Sequence, residues 1–335
     1  MYLMLNKSIP LFFVFCGTTI TLSSSSWLMA WAGLEVNMMA FIPIILTNNK
    51  LSNESALKYF LIQSSGSIMI FLSATMLMSD HILNAMDITN LLAFSMIPLA
   101  LVLKLGAAPV HFWFPQVMEG LTWSASMMLL TWQKIAPLFL LTTYNLSSLF
   151  LYMVVLLSAA VGAVGGLNQL LLRKILAYSS INHLAWMIMS AIISISVLLI
   201  YFIIYSLITL TIILILMSNN FIHLTQLMNS HYSLSLISLG LFLNLLSLGG
   251  MPPFIGFLPK WLVLTSLTSS TIFLISVFLV MCSTLTLYFY MRISFNLLMM
   301  APKLCWFNKT LVPLKSWLKL LSMSPIITLP LMIMM

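Results

Sequence analysis

The sequence predicts an all-α polytopic membrane protein of about eleven transmembrane helices, arranged as two inverted five-helix repeats that each contain a Gly/Pro-broken helix. Three observations carry this reading. Of the 335 residues, 62% are hydrophobic and only 5% are charged, whereas a soluble domain carries roughly 25% charged residues to face water. Apolar runs of about 20 residues recur along the chain; that length crosses a bilayer as a helix, while barrel strands would be near 10 residues and alternating. Finally, two Gly/Pro-interrupted segments recur at a fixed offset.

Taken in order, the spans fall at about 8–22, 26–46, 56–78, 91–116, 122–143, 147–167, 175–195, 196–217, 234–260, 270–291 and 320–335. The first follows "MYLMLNK" with no small-residue cleavage site, so insertion is expected by the span itself. The seventh and eighth are divided on length, because Leu176 to Met217 contains no charge and is too long for one crossing. With these spans, Lys7, Lys50, Lys58, Arg173, Lys174, Arg292, Lys303, Lys309, Lys315 and Lys319 share one side with the N-terminus. The other side receives Asp80 and Asp87 and no lysine or arginine. The positive-inside bias makes the N-terminal side cytoplasmic or matrix-facing, and an odd span count puts the C-terminus opposite.

The repeat is read from "LVLKLGAAPVHFWFPQ" (101–116) and "LLSLGGMPPFIGFLPK" (245–260). A shift of 144 aligns Gly106 with Gly250, Pro109 with Pro253 and Pro115 with Pro259. One break lies in the fourth span and one in the ninth. An odd offset of five spans means the copies cross in opposite directions, the pattern of inverted repeats whose interrupted helices mark a transport path. The expected division is one membrane domain, 1–335, with spans 1–5 over 8–143 and spans 6–10 over 147–291. A basic, partly amphipathic segment follows over 292–319 ("CWFNKTLVPLKSWLKLL" within and just beyond it), then the last span, 320–335.

Charges inside spans are the candidate functional groups, because each costs about 2.5–3.5 kcal/mol at a span centre on insertion scales. Glu35 lies in "WLMAWAGLEVNMMAFIPIIL". Lys104 precedes the first break by two residues, too deep to snorkel to a surface. Lys134 lies mid-span beside Gln133, with Pro137 following, and Lys260 follows the second break. The competing reading is that Glu35 and Lys134 only lock helices together. A low-dielectric site penalises the charged form of both amine and carboxyl, so such groups can pass protons through water. A carboxylate at one end and lysines through both halves make a relay, where a substrate pocket would gather its donors around one midplane point.

His183, in "LAYSSINHLAWM", and His111, in the first break, are weaker relay candidates, since a lone membrane histidine is more often a packing residue. His81, His223 and His231 are read as loop residues. No pair of histidines has metal spacing with a third ligand, and Cys16, Cys282 and Cys305 have no paired spacing, so metal, haem and iron–sulfur readings fail. No phosphate-binding or dinucleotide loop is present. The net charge of +8 is scattered between spans and is no nucleic-acid footprint. The 27 methionines are read as packing.

At these same residues the chain resembles the antiporter-like membrane subunits of respiratory complex I. The resemblance is carried by "LKLGAAPVHFWFPQVMEG" (103–120), "LLRKILAYSSINHLAWM" (171–187) and "GGMPPFIGFLPKW" (249–261), with the span order covering nearly the whole chain. It implies a proton-relay role for Lys104, Lys134 and Lys260, with Glu35 the partner of the first lysine. It also implies that NADH, FMN, iron–sulfur clusters and ubiquinone belong to other subunits, with no cofactor in this chain. The partners implied are other membrane-arm subunits and lipid, in a hetero-oligomer of the mitochondrial inner membrane, with the N-terminus in the matrix. Animal members resemble a fourteen-span pattern that has lost three N-terminal spans, which agrees with eleven here. Two other classes stand against this one: a free-standing sodium–proton antiporter, which would be expected to show a midplane carboxylate cluster, and a non-pumping scaffold.

Overall fold

A chain in lipid must satisfy its backbone polar groups internally, and a sequence of apolar runs does so as helices. The computed structural model describes residues 2–47, 49–83, 87–143, 149–229, 236–269 and 273–299. Every regular element among them is helical; the only strand-like pairing among the described residues is an isolated bridge between Leu171 and His223. Six segments are long and apolar enough to cross a membrane: 27–45, 50–78, 123–143, 172–193, 195–218 and 273–295. Four shorter apolar helices, 8–23, 95–105, 149–165 and 239–249, fall where the first, fourth, sixth and ninth spans are expected, but are shorter than a full crossing. The eleventh, 320–335, lies outside the described residues, as do positions 300–319 of the basic segment.

The chain divides into two compact units, 1–154 and 155–335. The first holds α1 (Tyr2–Ser23), α2 (Trp27–Ile45), α3 (Lys50–Leu83), α4 (Asp87–Leu105), α5 (Trp113–Gly120), α6 (Trp123–Leu130) and α7 (Trp132–Thr143). Within it α3 packs against α2, α4 and α5, and α7 packs against α1, α4 and α6. The boundary falls inside α8 (Leu149–Gly165). The second unit holds α9 (Leu172–Ile193), α10 (Ile195–Ser218), α11 (Leu224–Asn229), α12 (Leu236–Gly249), α13 (Phe257–Ser269) and α14 (Phe273–Met299). Here α9 packs against α10, α13 and α14, and α12 against α10 and α14.

Several boundaries differ from the sequence reading, each for a local reason. α3 begins at Lys50 and runs to Leu83, so His81 lies in a helix and not in a loop. Its polar first turns continue the helix, because Lys50, Glu54 and Lys58 are exposed at i, i+4 spacing and support one another. The fifth span is two helices, interrupted at Thr131, whose hydroxyl and backbone N–H both donate to the Met127 carbonyl. The ninth span does not end at Lys260, since α13 carries that residue in its first turns and runs on to Ser269. The tenth runs through Arg292 to Met299; Arg292 donates to the Leu167 carbonyl at 3.3 Å, so the helix need not stop at the charge. The division of the long apolar run falls at Ser194, extended at φ −166°, whose side chain caps α10 by accepting from the Val197 N–H.

The two expected breaks are present and have one backbone solution. Gly106 and Gly250 adopt left-handed φ of +73° and +80°. The Gly106 N–H donates to Leu103 O at 3.1 Å and the Ala107 N–H to Val102 O at 3.2 Å. Moved by 144 positions, the Gly250 N–H donates to Ser247 O at 3.0 Å and the Met251 N–H to Leu246 O at 3.4 Å. Both are Schellman closures, for which glycine is the favoured residue. The second break then folds back tightly, since a Cβ on Gly256 would overlap the Ser247 carbonyl.

This packing sets a direct contrast. Gly256→Ala drives a methyl into backbone that cannot yield, whereas a methyl at Gly249 meets only the Leu287 side chain at 3.3 Å. A destabilisation of about 1–2 kcal/mol changes protein abundance several-fold. Gly256→Ala is therefore expected to deplete the assembled protein several-fold on a native gel, and Gly249→Ala to retain most of it.

Candidate functional site

In the first unit the break at Gly106 leaves the last carbonyls of α4 in need of partners. Val102 and Leu103 are served by the turn itself, and Lys104 O accepts from Gln63 Nε2 of α3 at 3.1 Å. The Lys104 side chain is 7% exposed, in the last turn of α4, where the helix dipole favours a cation. Its aliphatic stem fits because α3 has glycine at position 66; a Cβ there would lie 3.2 Å from Lys104 Cγ.

Lys134 is 2% exposed and sits one turn after the interruption at Thr131. Its Nζ lies 5.6 Å from the centre of the Phe114 ring, a cation–π distance. Phe114, in turn, covers the Gly106 turn, with its Cβ 3.0 Å from where a glycine substituent would stand. Lys104 and Lys134 bound the same small cavity of about 20 Å³, which also meets Tyr59, Gln63, Asn37 and Gln133. Gln133 Nε2 donates to Asn37 Oδ1 at 2.9 Å and so orients two of these groups. The volume suits about one water, and polar groups share its lining with Leu34, Met38, Leu105, Leu129 and Pro137. It does not fit a flavin, nicotinamide or quinone ring, which needs a pocket of roughly 300 Å³ or more.

Glu35 comes to the same region by charge and not by a shared cavity. It acts electrostatically on Lys104, and its Oε2 is buried with no hydrogen-bond partner among the described residues. It lines an open apolar cleft of about 410 Å³ with Phe13, Met39 and Pro43. His111 is buried in the break, its Nδ1 3.2 Å from Pro109 O, and it does not line the lysine cavity.

In the second unit the break at Gly250 frees the Gly249 carbonyl, and Lys260 Nζ donates to it at 2.8 Å. Lys260 is 5% exposed, and its Nζ stands 5.9 Å from the centre of the Trp186 ring. His183, one turn earlier on α9, has Nδ1 2.9 Å from Tyr201 Oη. Among the described residues no group of three His, Cys, Asp or Glu side chains could hold a metal ion.

Gln63, Asn37 and Gln133 are site residues that a charge-based reading passes over. Gln63 could have been found as an amide inside "YFLIQSSGSIMIF", where a polar group needs a partner.

Membrane-length helices, two glycine-closed breaks and lysines buried beside them define a class: polytopic membrane proteins that keep charge at interrupted helices. The family described as NADH:quinone oxidoreductase/Mrp antiporter, transmembrane region, matches residues 24–286, and the chain belongs to it. A relative from Anopheles gambiae, NADH-ubiquinone oxidoreductase chain 2, is 45% identical over 300 residues, covering 88% of this chain and 87% of its own. Among solved structures, a chain of respiratory complex I from Thermus thermophilus with bound aureothin matches with TM-score 0.85 at 23% identity, covering 97% of this chain and 77% of that one. A chain of the Mrp complex from Dietzia sp. matches with TM-score 0.75 at 15% identity, covering 84% and 58%.

The bond from Gln63 yields a stability prediction. Gln63→Leu leaves the Lys104 carbonyl buried without its donor, a cost of about 1–3 kcal/mol. The assembled protein is expected to show a lowered unfolding temperature in thermal scans, while Gln63→Asn, which is shorter, falls between.

Proposed function

We propose that this chain is a membrane-arm subunit of a respiratory NADH:quinone oxidoreductase and that it moves protons through its buried lysines. The observation that carries the reading is the cavity bounded by both Lys104 and Lys134, partly polar in its lining and large enough for about one water. An ammonium on one lysine gives a proton to that water, which passes a proton to the neutral amine of the other. Glu35, acting on Lys104 by charge, changes how the proton divides between the two. Lys260 serves the second unit in the same capacity, with the Gly249 carbonyl as its resting partner. His111, bonded within its own turn, serves the break, and His183 is a relay member of the second unit.

The relatives' name supports this assignment, at 45% identity across most of the chain. On it, electron transfer from NADH to ubiquinone, with FMN and the iron–sulfur clusters, belongs to other subunits of a hetero-oligomer in the mitochondrial inner membrane. The scattered lysines support a matrix-side N-terminus, and the two glycine closures 144 residues apart support inverted halves over 8–143 and 147–291. A free-standing sodium–proton exchanger is disfavoured, because the described carboxylates in this chain do not gather at one site; a scaffold is disfavoured by three lysines kept almost fully buried.

The test is Lys104→Met and Lys134→Met in the assembled complex, reconstituted in sealed vesicles, with NADH oxidation and proton uptake recorded together. Each is expected to lower pumping at least about tenfold with assembly intact, as for loss of a general acid–base group, and to do so equally in sodium-free medium. Normal pumping in both variants would overturn the relay in favour of the scaffold, and a strict sodium requirement would favour the exchanger.

A further inference from the structure

Beyond the two lysine breaks, a buried polar cluster surrounds His183. It lies in the second unit, along α9, and is met by α10, α13 and α14. His183 is 6% exposed. Its ring faces Tyr205 of α10 at 5.1 Å between centroids, and Tyr201 of the same helix bonds Nδ1 at 2.9 Å. Tyr290 of α14 is close enough to both tyrosines to act on them electrostatically. From α13, Lys260 reaches α9 at Trp186, one turn beyond His183. All three tyrosines are buried, at 1%, 3% and 0% exposure.

The tautomer of His183 follows from what Tyr201 needs. The Ser180 hydroxyl donates to the Ala177 carbonyl at 2.7 Å, so Tyr205 meets Ser180 as a donor. Tyr201 has one hydrogen-bond partner among the described residues, the Nδ1 of His183. If Nδ1 were the donor, the phenolic hydrogen would be buried with no acceptor, which native interiors avoid. The phenol therefore donates to Nδ1, and the imidazole carries its hydrogen on Nε2.

We propose that Tyr201 is a positioning residue for proton transfer in the second unit: its hydroxyl closes Nδ1 of His183 and so fixes Nε2 as the nitrogen that carries the exchangeable proton. This rests on the relay reading above and names the group that sets the direction of one member. The fixed partner on one ring nitrogen assigns the role of the other, as it does for catalytic and metal-bound histidines. Tyr205 packs against the ring, 5.1 Å between centroids.

The experiment is Tyr201→Phe in the assembled, vesicle-reconstituted complex, which removes one hydroxyl and little volume. The variant is expected to oxidise NADH with proton pumping reduced at least about tenfold. Its pumping is also expected to have an altered pH profile, with Tyr201 and Tyr205 the titratable groups that face His183, and Tyr290 and Lys260 the next ones out, at the two tyrosines and at Trp186. Combined with His183→Gln it should pump no more slowly than His183→Gln alone. A second measurement does not depend on the tyrosine variant: infrared spectra of histidine-labelled complex, taken as the difference against His183→Gln, should show the Nε2–H tautomer. An Nδ1–H tautomer, or a Tyr201→Phe complex with unchanged pumping and pH profile, would overturn the proposal. Lys104→Met and Lys134→Met separate the two layers: if both pump normally the relay itself fails, and if they are defective while Tyr201→Phe is normal, only the role of Tyr201 falls.

Discussion

A helix interrupted inside a membrane must find partners for the carbonyls it releases, and much else in this structure answers to that constraint. The glycine turns at 106 and 250 satisfy two carbonyls each by closing on themselves. What remains is met from other elements, by the Gln63 amide in one unit and by the Lys260 amine in the other. The lysines thus sit at structural seams for a reason that precedes their chemistry. A seam is where backbone polarity, and with it water, is tolerated at depth. The two units use the seam differently. Lys104 lies at the end of α4, where the dipole favours a cation, while Lys260 lies in the first turns of α13, where it does not. Lys260 compensates by reaching the C-terminal end of α12, whose carbonyls carry the opposite partial charge.

The parts legible in the sequence are those fixed by local chemistry. Glycine and proline at a repeated spacing reveal the breaks because those residues alter the backbone wherever they stand. A lysine in an apolar run is conspicuous because its cost is intrinsic. The interruption at Thr131 has no such mark. There the Thr131 hydroxyl shares the Met127 carbonyl with its own N–H, and the same residue type elsewhere, as at Thr211, bonds back within an unbroken helix. The length of α13 beyond Lys260 was hidden for a related reason, since a charge after a proline-rich stretch reads as a span end when its acceptor on another helix is unknown.

Partners across helices were the least legible, because they are properties of the tertiary arrangement. Nothing in the order of residues ties Gln63 to the carbonyl of Lys104, Gln133 to Asn37, or Tyr201 to His183, separated by 41, 96 and 18 positions. Nothing in the run "IYFIIYSL" marks its tyrosines as site residues, and only the burial of their hydroxyls makes them members of a polar cluster. The same holds for Phe114, which sequence reading treats as part of an aromatic stretch. In the folded chain it spans the space between the Gly106 turn and the Lys134 amine.

The choice of neutral amides around the paired lysines bears on how such a site can work. A carboxylate in direct contact would hold a buried lysine in one charge state, since breaking a buried ion pair leaves an uncompensated charge and costs several kcal/mol. Asn37, Gln63 and Gln133 offer dipoles that can serve either an ammonium or an amine, because an amide group both donates and accepts. Glu35 stands off, acting on Lys104 by charge while its Oε2 makes no hydrogen bond among the described residues. The geometry therefore separates two features that a salt bridge would merge: amides and an aromatic ring stand against the lysines, while the carboxylate acts on Lys104 by charge alone. A site built only for cohesion gains little from buried lysines of either kind, because well-packed apolar side chains hold helices together as well as a buried ion pair does.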